Sequence, residues 1–268
     1  MTCAGETSMT QRHASLSFED FFWKDTDLRD KVILDAGTGF GITTTDIAKR
    51  IRRHKTNSTI VSIDIAPEAF KAAKKYLRIR SFLGSSLLKL VAFIRADLSH
   101  LPIKEDAIDL VISTRTLADI ESFPYRAIRA MAEFYRTLKR GGKVVMSDEY
   151  PVLLPSSAED EVAVTRWQLV KAISHLVGRP HAHEIFPEDL EFVLELVGFQ
   201  KCEWAIFKGE KIPERRINHF VTRSTEICDK IANSNLKQAF MIAIQDVKRR
   251  YKEKGGVFPP RYIIRATK

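Results

Sequence analysis

Val32-Ile-Leu-Asp-Ala-Gly-Thr-Gly-Phe-Gly41 is the stretch on which the fold turns. Val32 to Leu34 is a short apolar run ending in Asp-Ala-Gly, the pattern of a buried strand entering a turn. Beyond the glycines, Thr43 to Arg53 carries Ile47, Ala48 and Ile51 at helical spacing, so the loop joins a strand to a helix. Glycine is required where a chain turns with positive φ, or where a ligand lies too close for a Cβ. In a dinucleotide-binding loop the third glycine stands five positions after the first. Here that position is Ile42 and the third glycine is Gly41, which weakens a dinucleotide reading. A tight strand–helix turn with no ligand remains the competing explanation of the glycines alone.

Outward from the loop, strands and helices alternate. Thr59 to Ile65 is β-branched and ends in an acid, and Pro67 then opens a helix to about Arg80. Val91 to Ile94 and Ala107 to Ser113 read as the third and fourth strands. Pro124 to Leu138 is helical, with Ile128, Met131, Ala132, Tyr135 and Leu138 on one face. Gly141-Gly142 should end it and begin a fifth strand, Lys143 to Ser147. Strands separated by single helices predict right-handed crossovers and a parallel sheet covered on both faces. Phe18 to Trp23 reads as an amphipathic helix. In the second half, helices are expected over Ser157 to Val177 and from Pro187 to Gly198, with a strand over Lys201 to Phe207. A long apolar stripe runs from Glu214 to Lys254 with a break at Asn233-Ser234-Asn235, and Tyr262 to Ala266 is a final strand. We expect a poorly ordered tail over 1–16 and a single domain over 17–268, with helical insertions at about 151–185 and 213–255.

Composition sets outer limits. With 268 residues, 44% apolar and 29% charged, the chain can bury a sizeable core. Cys3, Cys202 and Cys228 are far apart without CxxC spacing, which gives no disulfide framework or zinc site and suits a reducing cytoplasm. No run near ~18 residues lacks charge, so no transmembrane helix is expected, and the N-terminus has no secretory character. The net charge of +9 is concentrated at the end, where 213–268 holds 13 Lys/Arg against five Asp/Glu. Such a patch suits nucleic acid, anionic lipid or an acidic substrate, while a solvated helix face is the plainer reading.

The acids raise the odds of a nucleotide-like ligand. Asp64 ends the second strand, where α/β nucleotide folds place a carboxylate on ribose hydroxyls, and Asp97 follows the third. Each alone could be a turn or cap residue. Three acids at successive strand ends beside a glycine loop are harder to explain that way.

At this point the segments VILDAGTGFG, VSIDIA, IRADLSHLP, IDLVIST and LKRGGKVVMSDEY resemble, in order and spacing, the successive motifs of class I S-adenosylmethionine (SAM)-dependent methyltransferases. The resemblance covers about residues 30 to 150, with a weaker extension toward residue 207. It implies a Rossmann-like α/β fold: a seven-stranded, mostly parallel sheet with helices on both faces, and helical insertions after strand 5 and between strands 6 and 7. It also implies that Asp35 lies near the methionine amino group and that the Gly37, Thr38, Gly39 and Gly41 backbone packs against the cofactor. Asp64 would bind the ribose hydroxyls, Ile65 the adenine, Asp97 and Leu98 the adenine amino group and ring, and Ser113 and Thr114 would face the methionine end.

Methyl transfer from a sulfonium is an in-line displacement for which the protein chiefly aligns the nucleophile and excludes water. A base is needed only when the acceptor is protonated at working pH. Candidates are Glu149, Tyr150, His181 and His183, on segments expected to roof the site. The two histidines are a weak case for a metal, and none is expected. Trp167 and Trp204 read as core. After the fourth strand the chain has Ser113-Thr-Arg-Thr-Leu117, without the Asn/Asp-Pro-Pro-aromatic motif of many base N-methyltransferases, which favours a small-molecule acceptor. Alternatives are a protein or RNA acceptor docked on the basic C-terminal region, a SAM-binding protein without catalysis, and, more distantly, a dehydrogenase. The apolar stripe of 214–254 serves packing on the domain or a homodimer interface.

Overall fold

The computed structural model describes residues 16–81, 87–120, 126–152, 154–155, 157–178 and 184–268. The expected tail, apart from Leu16, lies outside them, as do His181 and His183.

Seven strands form one sheet: β1 (Val32–Ala36), β2 (Thr59–Asp64), β3 (Val91–Arg95), β4 (Ile108–Thr114), β5 (Leu138–Glu149), β6 (Gln200–Phe207) and β7 (Arg261–Thr267). Their order is β3-β2-β1-β4-β5-β7-β6. The first five are parallel to one another, whereas β7 runs antiparallel to both β5 and β6. The order reverses between β1 and β4, and ligands of open α/β sheets bind at the carboxyl ends beside such a switch point.

Alternation along the strands supplies two cores. Leu34, Val111, Val144 and Ile264 face one way, toward α5 (Arg126–Thr137) and α7 (Pro187–Val197), in a cluster with Met131, Phe134, Leu190 and Leu194. Their sequence neighbours Ile33, Ile112, Val145 and Ile263 face the other way. There they meet α1 (Phe18–Trp23), α2 (Ile42–Arg53) and α3 (Pro67–Arg80) through Phe21, Phe22, Ile47, Ile51 and Leu77. Period-two side-chain direction is thus what lets a nearly continuous apolar strand serve both faces.

One expected boundary is corrected. The α5 helix ends at Thr137, whose hydroxyl donates back to the Glu133 carbonyl at 2.8 Å, and β5 begins at Leu138. Gly141-Gly142 therefore lies inside the strand. The Gly141 N–H donates to the Lys268 carbonyl and the Lys268 N–H to the Gly142 carbonyl, so the pair is held by the end of β7. A register shift against β4 between Ile108 and Leu110 absorbs the irregularity.

A short helix, α4 (Leu117–Ile120), follows β4, and three long helices make a separate layer: α6 (Ala158–Leu176) after β5, then α8 (Glu214–Cys228) and α9 (Ser234–Lys254) between β6 and β7. Val162, Ile173, Ile217, Phe220, Ile244 and Val247 form their shared core. The Ser157 and Asn233 side chains accept N–H bonds that cap α6 and α9, so the expected break near Asn233 is a helix start. The apolar stripe of 214–254 is therefore buried against α6. Several cations on α9 are paired: Arg249 with Asp246 and Glu253, Arg250 with Asp246 and Glu161, and Lys254 with Glu161.

Gly41 precedes α2 with φ +78, and a Cβ there would lie 2.6 Å from the Cβ and 2.7 Å from the Cα of Ala73 on α3. Gly39 has φ +48 but open space where a Cβ would stand. Gly41→Ala should therefore lower the unfolding free energy by about 2–5 kcal/mol, combining left-handed backbone and overpacking costs. Gly39→Ala should lower it by only about 1–2 kcal/mol. Urea denaturation separates the two; equal losses would show that the α2–α3 approach does not require Gly41.

Candidate active site

The carboxyl ends of β1, β2, β3 and β4 open on a cavity of about 930 Å³. Its floor is Gly37 to Phe40, with Asp64 and Ile65 after β2, Ala96 to Leu98 after β3, and Thr114 to Thr116 after β4. Phe18, Phe22 and Trp23 of α1 border it. The loop is pinned by backbone: Gly37 N–H and Thr38 N–H both donate to the Ile63 carbonyl at 2.9 Å. The Asp64 carboxylate then accepts from Gly39 N–H at 2.8 Å and from Ala66 N–H at 2.9 Å. Thr43 and Thr114 hydroxyls meet at 2.5 Å, tying α2 to the end of β4.

Asp97 lies at the cavity wall. Burial opposes its ionisation, but the Ser99 amide and hydroxyl, with Arg126 at 3.1 Å, hold its carboxyl below the usual range. Asp35 is fully buried beneath the loop and lines no cavity wall; one oxygen accepts from the Thr44 and Ser62 hydroxyls and the other has no partner. Burial raises its carboxyl to about 6 against the pull of those hydroxyls. Ser113 donates to the Ala36 carbonyl at 3.0 Å, a link between β4 and β1, and neither it nor Gly41 lines the cavity.

A second cavity, about 790 Å³, lies between the sheet edge and the α6–α8 layer. It shares Phe18, Glu19, Arg115, Arg216 and Arg261 with the first. Glu149 lines it; Tyr150 lines neither cavity and packs its ring against Phe186 with centroids 5.7 Å apart. Trp204 is core, as expected, with its indole donating to Glu191. Trp167 is not: it is half-buried, lines the second cavity and donates to Glu184. It stands on α6, which puts Arg166, Trp167, Val170 and Ile173 on this cavity. Among the described residues no three His, Cys, Asp or Glu side chains gather as a metal site, and no helix is long and apolar enough to cross a membrane.

The sequence reading did not single out Arg166, Arg216, Arg261 or Asp148. The arginines are scattered along the chain, and only folding brings them together. Asp148 ends β5 buried, accepting from Leu117 N–H at 3.1 Å and Ala118 N–H at 3.4 Å with one oxygen and from Glu149 N–H at 2.8 Å with the other. It thereby holds the start of α4, and with it the Arg115–Thr116 turn between the cavities.

Residues 34–146 match the family model described as a methyltransferase domain. The chain is 23% identical over 205 residues to the ubiquinone/menaquinone biosynthesis C-methyltransferase UbiE of Rickettsia prowazekii, covering 70% of this chain and 77% of that protein. Its fold resembles that of the YcgJ protein from Bacillus subtilis, with TM-score 0.59, 12% identity and coverage of 92% and 96% of the two chains. It also resembles Haemonchus contortus phosphoethanolamine N-methyltransferase 2, solved with phosphomonomethylethanolamine and S-adenosylhomocysteine, with TM-score 0.52, 15% identity and coverage of 93% and 51%. The family match, the motif series and the strand order agree: residues 34–146 form a methyltransferase domain, on the fold of the class I SAM-dependent methyltransferases. The residues fit the cofactor: the Asp64 carboxylate and the Gly37–Phe40 backbone line a cavity of about 930 Å³ at the strands' carboxyl ends, and Gly39 leaves open space where a Cβ would stand.

Burial first, then the charges of Glu149 and Asp119, push the Asp148 carboxyl up to about 6 from its ordinary 3.8, against the amides of Glu149 and Ala118. The folded value lies above the unfolded one, so this group's stability contribution is present below pH ~4 and lost as pH rises through 6. Wild type should lose roughly 3 kcal/mol relative to Asp148→Asn between pH ~4 and ~7. Urea unfolding of both across that range tests this, and parallel pH profiles would contradict it.

Proposed function

We propose that the enzyme methylates a small molecule held in the second cavity, by in-line displacement from SAM held in the first. The observation that carries this reading is that the two cavities adjoin at Phe18, Arg115, Arg216 and Arg261, so that donor and acceptor share one junction. The similarity to UbiE, a ubiquinone/menaquinone biosynthesis C-methyltransferase, and to the phosphoethanolamine N-methyltransferase, which act on small molecules by their names, supports the acceptor class.

Bound SAM supplies an electrophilic methyl on a sulfonium; the chain supplies alignment. Gly37, Thr38 and Gly39 present backbone to the methionine part, and Gly41 sets the start of α2 behind them. Asp35, fully buried below the loop and off the cavity wall, supports the methionine end from behind through Thr44 and Ser62 and does not touch it. Asp64 takes the ribose hydroxyls, a vicinal diol suited to two carboxylate oxygens. Ile65, Asp97 and Leu98 take the adenine, and Thr114, anchored by Ser113 behind it, faces the methionine end. The aromatic side chains of α1 exclude water from the junction. Glu149, on the second cavity, accepts a proton from an acceptor that carries one. Tyr150, turned toward Phe186, is a weaker candidate, and His181 and His183 stand as candidates on sequence grounds alone. A cytoplasmic setting accords with Cys202 and Cys228 being free. Docking of protein or RNA on the C-terminal region, and a homodimer through it, draw less support, because its apolar stripe is buried on α6 and several of its cations are paired.

Incubation with methyl-labelled SAM and a metabolite extract should place label in the small-molecule fraction with release of S-adenosylhomocysteine; label confined to protein or RNA would overturn the acceptor assignment. Asp64→Ala should weaken SAM binding by about 10–100-fold, the value of hydrogen bonds to a charged group, while the protein stays folded. Unchanged affinity would mean that the ribose hydroxyls lie elsewhere.

A further inference from the structure

The second cavity carries an excess of positive charge that methyl transfer does not require. Eight Lys/Arg side chains line it against three Glu. One of those acids, Glu19, is already paired with Arg50. Burial first, then Arg115, pulls the Arg261 guanidinium down to about 10 against Glu149, Asp148 and Glu210, and burial with Arg216 lowers Arg166 against Glu149. The Nε of Arg166 and the Nε of Arg261 are buried without a hydrogen-bond partner. Among the described residues, none of Arg115, Arg166, Arg216 and Arg261 forms an ion pair within 4.0 Å. Arg115 and Arg216 are exposed and Arg261 donates from Nη2 to the Ser147 hydroxyl at 3.4 Å, so the cost of a guanidinium drawn out of water falls chiefly on Arg166, and an anion that accepts from its fork relieves it.

The cofactor's own carboxylate does not remove the excess. It can reach Arg115, Arg216 or Arg261, which line both cavities, but Arg166 lines the second alone. The same cavity is also lined by Trp167, Val170, Ile173, Phe220 and Phe258, and the Arg166 guanidinium lies 5.9 Å from the Phe258 ring centroid. Cations and apolar side chains lining one cavity suit a molecule that carries both an anionic group and an apolar body.

We propose that the methyl acceptor is an organic anion, a carboxylate or phosphate on an apolar body, with its anionic group on Arg166 and Arg216 and its body against Trp167 and Phe220. The proposal rests on the assignment of the second cavity to the acceptor.

Calorimetric titration of the full chain saturated with S-adenosylhomocysteine tests it, with octanoate against octanamide and octyl phosphate against octanol as probes. At least one anion should bind tenfold or more tighter than its neutral counterpart, and the preferred anion identifies the group. Arg166→Gln should reduce that preference about tenfold with S-adenosylhomocysteine affinity retained. Arg216→Gln, at an exposed position, should reduce it too, and serves if the buried substitution does not fold. Equal binding of charged and neutral probes, no binding of either anion, or a preference retained in every folded variant would overturn the proposal. Failure of S-adenosylhomocysteine itself to bind would instead overturn the cofactor assignment, so the two are read separately.

Discussion

The Ile63 carbonyl accepts two N–H groups of the glycine loop, Gly37 and Thr38, each at 2.9 Å. That shared acceptor fixes the loop over the end of β2 and so fixes everything measured from it. With the loop in place, Gly39 N–H reaches Asp64, Gly41 lets α2 begin against α3, and the carboxyl edge of the sheet stays open between them. The site is thus a consequence of backbone geometry at one strand end, to which side chains add selectivity.

Around that centre the molecule builds its two adjoining cavities from different layers. The parallel part of the sheet, with α2 and α3 behind it, shapes the first cavity. The layer of α6, α8 and α9, with its own apolar core, shapes the second. The N-terminal α1 borders both, and Arg50 lies over the Trp23 ring at 4.2 Å to its centroid, joining that helix to α2. Asp148 acts at the boundary, where a buried carboxylate orders the turn that carries Arg115.

The strand–loop–helix at Val32 to Arg53 was legible because periodicity changes from two to 3.6 within ten residues and three glycines mark the junction. Asp64 and Asp97 were legible because a strand's end fixes which side of the sheet they share. The boundary at Leu138 was not: glycine normally stops a helix, and only pairing with Lys268, 127 residues beyond Gly141, turns that pair into strand. The arginine cluster and Trp167 were illegible for a related reason. A helix stripe shows which side is apolar, but not whether the facing space is filled by protein or left for a ligand. Tyr150 shows the converse, since its position next to Glu149 put it in the predicted roof while strand alternation turned it away toward Phe186.

The central claim is that this sheet edge holds SAM and not a dinucleotide, because the third glycine falls at Gly41 and Asp64 and Asp97 line one cavity beside it. Isothermal titration of the full chain with SAM and, separately, with NAD tests it most directly. The account predicts saturable binding of SAM at one site per chain and no heat from NAD. Saturable binding of NAD with none of SAM would contradict it.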